Sequence, residues 1–360
     1  MASLAFTADV HVGNPSAFGG SVVAGVNERG RQVLQSLDRA VKETQDRGMD
    51  ALVICGDLFD TANPSPQLIS EVQCILSDAP KVICLMGNHD MVSDTPGDNA
   101  LGPLIPLPNV MTVETPEIVT IGDVSLLCVP FQVGDCREWF PKVVESLATL
   151  PMPEGTRKVM AFHLGVIDKS TPAFLAKAHD AIELEVVQGL MGAHGIEYAF
   201  CGNWHAPQKW GRLVQCGALC PTGWDNEGSN YGKMALLDTD TKFLASAYIS
   251  GPRFLVADSA KKADALLDSA RMAGDKVYLS LKGAAAEDTE LIARLREAGV
   301  PTRVVLGSDG AKEATRAAAR SVRGAATLED ALARYIAAMP VPDSVDREQV
   351  LALSRKYLGG

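Results

Sequence analysis

Five times within the first 205 residues, a short run of β-branched and apolar residues gives way to metal-ligand side chains. Leu4–Val10 carries into Asp9 and His11, Ala51–Cys55 into Gly56-Asp57-Leu58-Phe59-Asp60, and Val82–Met86 into Gly87-Asn88-His89-Asp90. Val159–His163 closes on His163 itself, and Tyr198–Cys201 is followed by Gly202-Asn203-Trp204-His205. Runs of this composition read as strands. Strand ends along one edge of a sheet converge in space, which is where open α/β sheets place their sites. Strands so ordered are expected to bring the five motifs together, with Asp9, His11, Asp57, Asp60, Asn88, His89, Asp90, His163, Asn203 and His205 among them. Any one motif is weak, since an isolated Asp-x-His serves more often as a surface or capping pair and Gly-Asn-His-Asp as a turn. Their succession carries the signal, and it takes up four of the six histidines in the chain. His179 and His194 fall outside it and read as structural or surface residues.

The rest of the first half has the same layered α/β character. Further strands are expected at Val110–Val113, Val124–Pro130, Leu213–Cys216, Lys233–Asp238 and Phe243–Ile249. A helix is predicted over 29–47, with Val33, Leu34, Leu37 and Val41 on one face and Gly48 as its stop. The Gly-rich loop 13–30 ahead of it, with Asn27 and Arg29 near its end, can line a path to the site or serve as a solvated connector. Beyond residue 252 the pattern changes. Phe254–Ala257, Val277–Leu281 and Arg303–Leu306 read as strands separated by helices near 260–272 and 290–298, a small β-α-β-α-β unit. An Ala-, Gly- and Arg-rich linker over 308–326 precedes two short helices, 328–338 and 347–358. Thr327 with Asp330, and Asp346 with Gln349, stand ahead of these at N-cap and N3 spacing. At 360 residues the chain exceeds what one core usually serves. The expected division is 1–250, 253–307, 308–326 and 327–360.

Composition narrows the class. With 47% hydrophobic and 21% charged residues the chain reads as soluble and globular, and no stretch approaches the roughly 18–20 apolar residues of a membrane span. No basic n-region or cleavage site opens the sequence, so a cytoplasmic location, in a bacterium or in the host of a phage, is the expectation. A net charge of −11 argues against a surface that grips nucleic acid everywhere, although part of it can be ligands that cations neutralise. The eight cysteines lack zinc-ribbon spacing and read as core residues, with Cys201, Cys216 and Cys220 the one trio to test as ligands.

Carboxylate, imidazole and amide oxygen together suit a pair of Mn²⁺, Fe or Zn²⁺ ions better than Mg²⁺ alone. Two such ions about 3.5–4 Å apart lower the pKa of a water, bind phosphoryl oxygens and brace an in-line displacement.

The ordered set resembles the calcineurin-like metallophosphoesterase family, whose pattern is Asp-x-His, Gly-Asp-x-x-Asp, Gly-Asn-His-Asp/Glu, a lone His and Gly-His-x-His. The resemblance implies a β-sandwich flanked by helices. It also implies two divalent ions, most naturally Mn²⁺. Asp9, His11, Asp57 and His205 would hold one, and Asp57 would bridge to a second completed by Asn88, His163 and Asn203. His89 is not a ligand in that reading; it would protonate the leaving oxygen or stabilise phosphoryl charge, with Asp60 or Asp90 setting its tautomer. One position departs from the family, because Asn203 stands where its pattern has histidine. An amide oxygen ligates transition metals more weakly than imidazole, so a weak second site is expected.

Within the family, Gly56–Asp60 and Gly87–Asp90 look most like SbcD-type DNA nucleases, and residues 327–360 resemble the C-terminal helix pair of tailed-phage recombination-endonuclease nuclease subunits. That implies DNA as substrate, a capping domain at 253–307, a homodimer, and an SMC-like coiled-coil ATPase of SbcC type docking on 327–360. Leu328, Ala331, Leu332, Tyr335, Ile336 and Met339 form the stripe that would receive it, or that would dock on the chain's own domain. The competing readings are a phosphoesterase of small or cyclic nucleotides and, because of Asn203, a catalytically weakened DNA- or ATPase-binding subunit.

Overall fold

The structure is a computed structural model that describes residues 1–15, 18–95, 97–171, 177–228, 231–249, 251–305, 333–334, 336–337 and 346–351. Strand β1 (Ser3–Thr7) is followed by a small hairpin of β2 (Val22–Val23) and β3 (Val26–Asn27), then by helix α1 (Glu28–Asp46). Next come β4 (Ala51–Ile54), α2 (Pro66–Ser77), β5 (Lys81–Leu85), β6 (Val110–Val113), β7 (Glu117–Ile121) and β8 (Val124–Val129). Then follow α3 (Cys136–Thr149), β9 (Arg157–His163), β10 (Gly165–Ile167), β11 (Ala181–Glu183), α4 (Leu184–His194) and β12 (Ile196–Gly202). The larger part closes with β13 (Gln208–Trp210), β14 (Leu213–Gln215), β15 (Lys233–Asp238) and β16 (Phe243–Tyr248).

Two six-stranded sheets result, ordered β16-β15-β1-β4-β5-β6 and β13-β14-β12-β9-β8-β7. Their central strands run parallel, β1 with β4, β4 with β5, and β9 with β8 and β12. Parallel strands need helical crossovers, which cover the outer faces. Side chains alternate across each strand. On β1, Ala5 packs outward with Val33, Leu37, Val72 and Leu76 of α1 and α2, whereas Leu4 and Phe6 point between the sheets. On β8 and β9, Leu127 and Phe162 pack outward against Phe140 and Val144 of α3. Phe6 stacks on Phe200 of the facing sheet with ring centroids 3.6 Å apart. Burying each such ring is worth roughly 1.5–3 kcal/mol. The molecule is thus the expected α/β sandwich flanked by helices.

Local sequence explains the elements. The Asn27 side chain caps α1 by accepting from Gly30 N at 2.7 Å, worth about 1 kcal/mol. Ser65 caps α2 ahead of Pro66, in its first turn. Three helices, α2, α3 and α4, were not anticipated. Neither were β7, β10, β11 and β13, nor the β2–β3 hairpin. The first strand is shorter than its apolar run, since β1 ends at Thr7 and not at Val10. The reason is that Asp9 and His11 take left-handed backbone with φ of 50° and 51°. Asn27 and Arg29 do not line a path. Arg29 is 1% exposed, its guanidinium donating to the Pro221 carbonyl and standing 5.7 Å from the Phe254 ring centroid. Cys201, Cys216 and Cys220 lie in three different apolar layers, which removes them as a joint metal site.

The chain divides into two compact units, residues 1–255 with 268–277, and residues 256–267 with 278–360. Residues 268–277 cluster with the first unit. After β16 the elements are β17 (Arg253–Ala257), α5 (Ala260–Ala273), β18 (Val277–Leu281), α6 (Ala284–Glu287), α7 (Thr289–Glu297) and β19 (Thr302–Val304). The three strands form a sheet in that order, with β18 and β19 parallel. The second crossover holds two helices where one was expected. The linker 308–326 and most of the helix pair in 327–360 lie outside the described residues. Within 346–351, Asp346 Oδ1 accepts from the N–H groups of Glu348 and Gln349 as an N-cap. Among the described residues no helix is long and apolar enough to cross a membrane.

Candidate metal centre

The loops after β1 and β4 run side by side. Asp9 N donates to Gly56 O at 3.1 Å, Val10 N to Asp57 O at 2.9 Å, and Val12 N to Leu58 O at 2.8 Å. This zipper places Asp9, His11, Asp57 and Asp60 together. Their backbone is strained for it: of seven non-glycine residues with positive φ among the described residues, four are Asp9, His11, Asp57 (53°) and Asn203 (82°). Such conformations cost about 1–3 kcal/mol each and persist where surrounding structure imposes them, which is characteristic of functional sites. Two motif glycines are demanded by close approach. A side chain at Gly56 would collide with the His163 ring, and one at Gly87 with the Asp57 carboxylate.

The side chains converge. Asp57 Oδ2 lies 3.3 Å from His163 Nε2 and 3.7 Å from His11 Nε2, between two groups of ligands. His11 Nε2 is 3.0 Å from His205 Nε2, and His163 Nε2 is 3.0 Å from Asn88 Oδ1. Three overlapping groups, Asp9/His11/His205, Asp9/Asp57/His163 and His11/Asp57/His89, each bring their ligand atoms within 4.8 Å of one another. Asn203 joins through its backbone, its N–H donating to Asp9 Oδ1 at 2.8 Å.

Three of the four imidazoles have Nδ1 in a hydrogen bond, and the fourth, His11, turns Nδ1 towards a carboxylate, which leaves Nε2 on the inner side. His163 Nδ1 donates to Cys55 O at 2.7 Å and His89 Nδ1 to Asp60 O at 2.9 Å. His11 Nδ1 faces Asp60 Oδ1 at 3.5 Å. His205 Nδ1 faces Thr222 Oγ1 at 3.4 Å, and that hydroxyl donates in turn to Asn226 Oδ1 at 2.8 Å. Anchoring the outer nitrogen of a ligating histidine is the recurrent second layer of metal sites.

The expectation that Asp60 or Asp90 sets the His89 tautomer is corrected in its atoms. The main-chain oxygen of Asp60 does so, while its carboxylate turns to His11. Asp90 is fully buried and accepts from Phe59 N at 2.9 Å, Gly87 N at 3.0 Å and Leu58 N at 3.3 Å. It ties two motif loops together and does not touch the His89 ring. Thr222, Asn226 and Asp180, which holds the Asn203 amide, escaped sequence reasoning, because none belongs to a motif. His179 is exposed beside Asp135, and His194 ends α4.

The electrostatics fit cations. Burial pushes the Asp9 carboxyl up to about 6, partly opposed by the His163 charge. Asp9 Oδ2 is buried without a hydrogen-bond partner, an oxygen for which an ion is the natural complement. Burial would also raise Asp57, but the His163 charge, its hydrogen bond and the His11 charge hold it well below the usual carboxylate range. Burial lowers His163, yet Asp57 overcomes this and lifts it to about 9. Burial and then repulsion from His11 bring His205 down to about 4. Two carboxylates, one of them with an orphaned oxygen, and three inward imidazoles are a donor set that suits divalent ions.

The family profile described as calcineurin-like phosphoesterase matches residues 2–207. The DNA double-strand break repair protein Mre11 of Methanopyrus kandleri is 26% identical over 92 residues, 24% of this chain and 19% of that protein. The chain therefore matches about a fifth of that relative's length. Among solved structures, TT1561 of Thermus thermophilus shares 15% identity at a TM-score of 0.44, over 69% of this chain and 99% of that one. Yfce, a phosphoesterase from E. coli, shares 14% at a TM-score of 0.28, over 69% and 100%.

Proposed function

The chain belongs to the calcineurin-like phosphoesterase family, and from that premise we propose that it is a two-metal phosphodiesterase acting on DNA, the nuclease subunit of a complex with an SMC-like coiled-coil ATPase. Family membership makes it a hydrolase of phosphoesters. The observation that supports a two-ion centre best is the position of Asp57 Oδ2, facing His11 Nε2 on one side and His163 Nε2 on the other. Asp9, His11, Asp57 and His205 would hold the first ion. Asp57, Asn88, His163 and Asn203 would hold the second. When bound, such ions supply a nucleophile at neutral pH and neutralise charge on the phosphoryl oxygens. The donor set favours Mn²⁺, with Fe and Zn²⁺ also accommodated.

The chain's own residues do the rest. Cys55 O, Asp60 and Thr222 hold three imidazoles in the tautomer that ligates. His89 is exposed at the rim, its ring edge-on to His11 with centroids 4.7 Å apart. With Nδ1–H bound to Asp60 O, it is the imidazolium form, which carries a second proton on Nε2, that would deliver that proton to a leaving oxygen. Asp90 keeps the loop that carries His89 in register with Asp57, whose Oδ1 accepts His89 N at 2.9 Å.

DNA as substrate is supported by the SbcD-like motif strings and by the similarity to a protein named for double-strand break repair. Residues 327–360 are proposed to receive the ATPase, and a homodimer is proposed as the assembly. The test is digestion of linear single- and double-stranded DNA in Mn²⁺, beside a generic phosphodiester and small nucleotides, with and without a candidate ATPase. Cleavage of DNA, and loss of ATPase association on deleting 327–360, are expected. Turnover of small nucleotides with DNA left intact would replace this reading. Ion binding without any turnover would make the chain a binding subunit.

A further inference from the structure

Asn203 breaks the family's pattern, and its surroundings dictate which amide atom faces which way. Nδ2 donates to the main-chain oxygen of Asp180 at 2.9 Å and to Asp180 Oδ2 at 3.0 Å. Carbonyl and carboxylate oxygens only accept, so an amide oxygen could not take that place. Oδ1 is consequently left on the opposite edge of the carboxamide, with no donor. The backbone agrees, because asparagine tolerates a φ of 82° better than most residues do. Asp180 is itself fixed, its main-chain oxygen also accepting from Gly165 N at 3.0 Å. Gly165 opens β10, two residues beyond His163, so Asp180 joins the segment that follows His163 to the Asn203 amide.

Resting on the ligand assignment above, we propose that Asp180 is a positioning residue that makes Asn203 an oxygen ligand, and that the second position thereby holds its ion through fewer nitrogens than the family's histidine would give it. Two imidazoles in the first position, from His11 and His205, favour a nitrogen-seeking ion such as Zn²⁺ or Fe²⁺. The second position has His163 as its single imidazole beside the oxygens of Asp57, Asn88 and Asn203. That set favours Mn²⁺ or Mg²⁺.

The test uses the full chain stripped with a chelator, Zn²⁺ followed by calorimetry, and Mn²⁺ followed by its paramagnetic resonance. The unaltered protein should take one Zn²⁺ tightly and one Mn²⁺ that Zn²⁺ displaces poorly. Asp180→Ala leaves the main-chain acceptor and removes the carboxylate one, so it should weaken Mn²⁺ by roughly 10-fold, the low end for outer-layer substitutions, and leave the tight Zn²⁺ unchanged. Asp180→Asn keeps an acceptor and should recover most of that loss, which a folding defect would not. Asn203→His should bind a second Zn²⁺ tightly and become indifferent to Asp180→Ala. The proposal is overturned if the unaltered chain binds two Zn²⁺ with equal affinity, or if Asp180→Ala leaves Mn²⁺ binding unchanged or weakens both positions alike. Binding of no ion at all would remove the ligand assignment itself, and the inference with it.

Discussion

The centre has a floor and a rim, and they are built differently. On the floor, Asp9, Asp57 and His163 are at most 1% exposed, and each is held by a main-chain partner: Asn203 N, His89 N and Cys55 O respectively. At the rim, His89 is exposed and Asn88, Asn203 and His205 are half-buried, while the Asp60 side chain is 39% exposed. Main-chain partners cannot rotate away, so the floor fixes where charge is stored. Side chains open to water can meet a substrate. The difference teaches that binding of ions and turnover should be separable by mutation.

The largest effect is expected at the floor. Asp57→Ala removes the carboxylate that faces both halves, so both ions should be lost and turnover should fall well beyond the ~10–100-fold that outer-layer changes cost. Metal analysis of the purified variant checks this, and two retained ions would remove Asp57 from the bridging role. At the rim, His89→Ala should keep both ions while kcat falls by about 10²–10⁴-fold, as for loss of a general acid. Loss of metal in that variant would instead make His89 a ligand, as its place in the His11/Asp57/His89 group allows.

Between them lies Asp60, whose carboxylate reaches His11 Nδ1 from the rim. Its pKa lies below the usual carboxylate range, first through the His11 hydrogen bond, so it is charged at neutral pH. Asp60→Ala should weaken the first ion by roughly 10–100-fold and spare the second. Equal weakening of both in a titration would mean that the floor and rim are not independent.

Per pH unit, the smallest effect is the pH dependence of ion binding. A proton must leave His163 Nε2 before it ligates, and its pKa is raised to about 9. Affinity should therefore rise on the order of tenfold per pH unit up to about 9. Asp9, at about 6, adds a second proton below that pH, whereas His205, at about 4, adds none above it. In the ion-free chain the sign reverses. A histidine with a raised folded pKa stabilises the fold fully below its ordinary 6.5, and that contribution is lost as pH rises through about 9. Proton release measured in buffers of different ionisation enthalpy checks the first statement, and ion-free melting temperatures check the second.

Much of this was legible in the sequence because ligands come in short strings after strands. The strings named residues that the fold brings together, Asp9, His11, Asp57, Asn88, His163, Asn203 and His205, and apolar runs marked the central strands. Helix α4 was not legible, since its buried face is sparse and Val187 alone is fully buried, whereas α2 (Leu68, Val72, Leu76) and α3 (Phe140, Val144, Leu147) do bury residues at helical spacing. The tertiary partners of the histidines were not legible either. Cys55 contributes only its carbonyl, Thr222 lies 17 residues from His205, and Asp180 lies 23 residues from Asn203. No local pattern marks a residue whose role is to hold another's outer atom. Nor does any pattern announce the positive φ at Asp9 and Asp57, which ends each strand early and turns its carboxylate inward.

The central claim is that Asp57 joins two ion positions in one centre, and counting ions tests it most directly. Equilibrium dialysis of the full chain against Mn²⁺, read by elemental analysis, should give two ions per chain, and none for Asp57→Ala. One ion in the unaltered protein at saturation, or two in the variant, would contradict it.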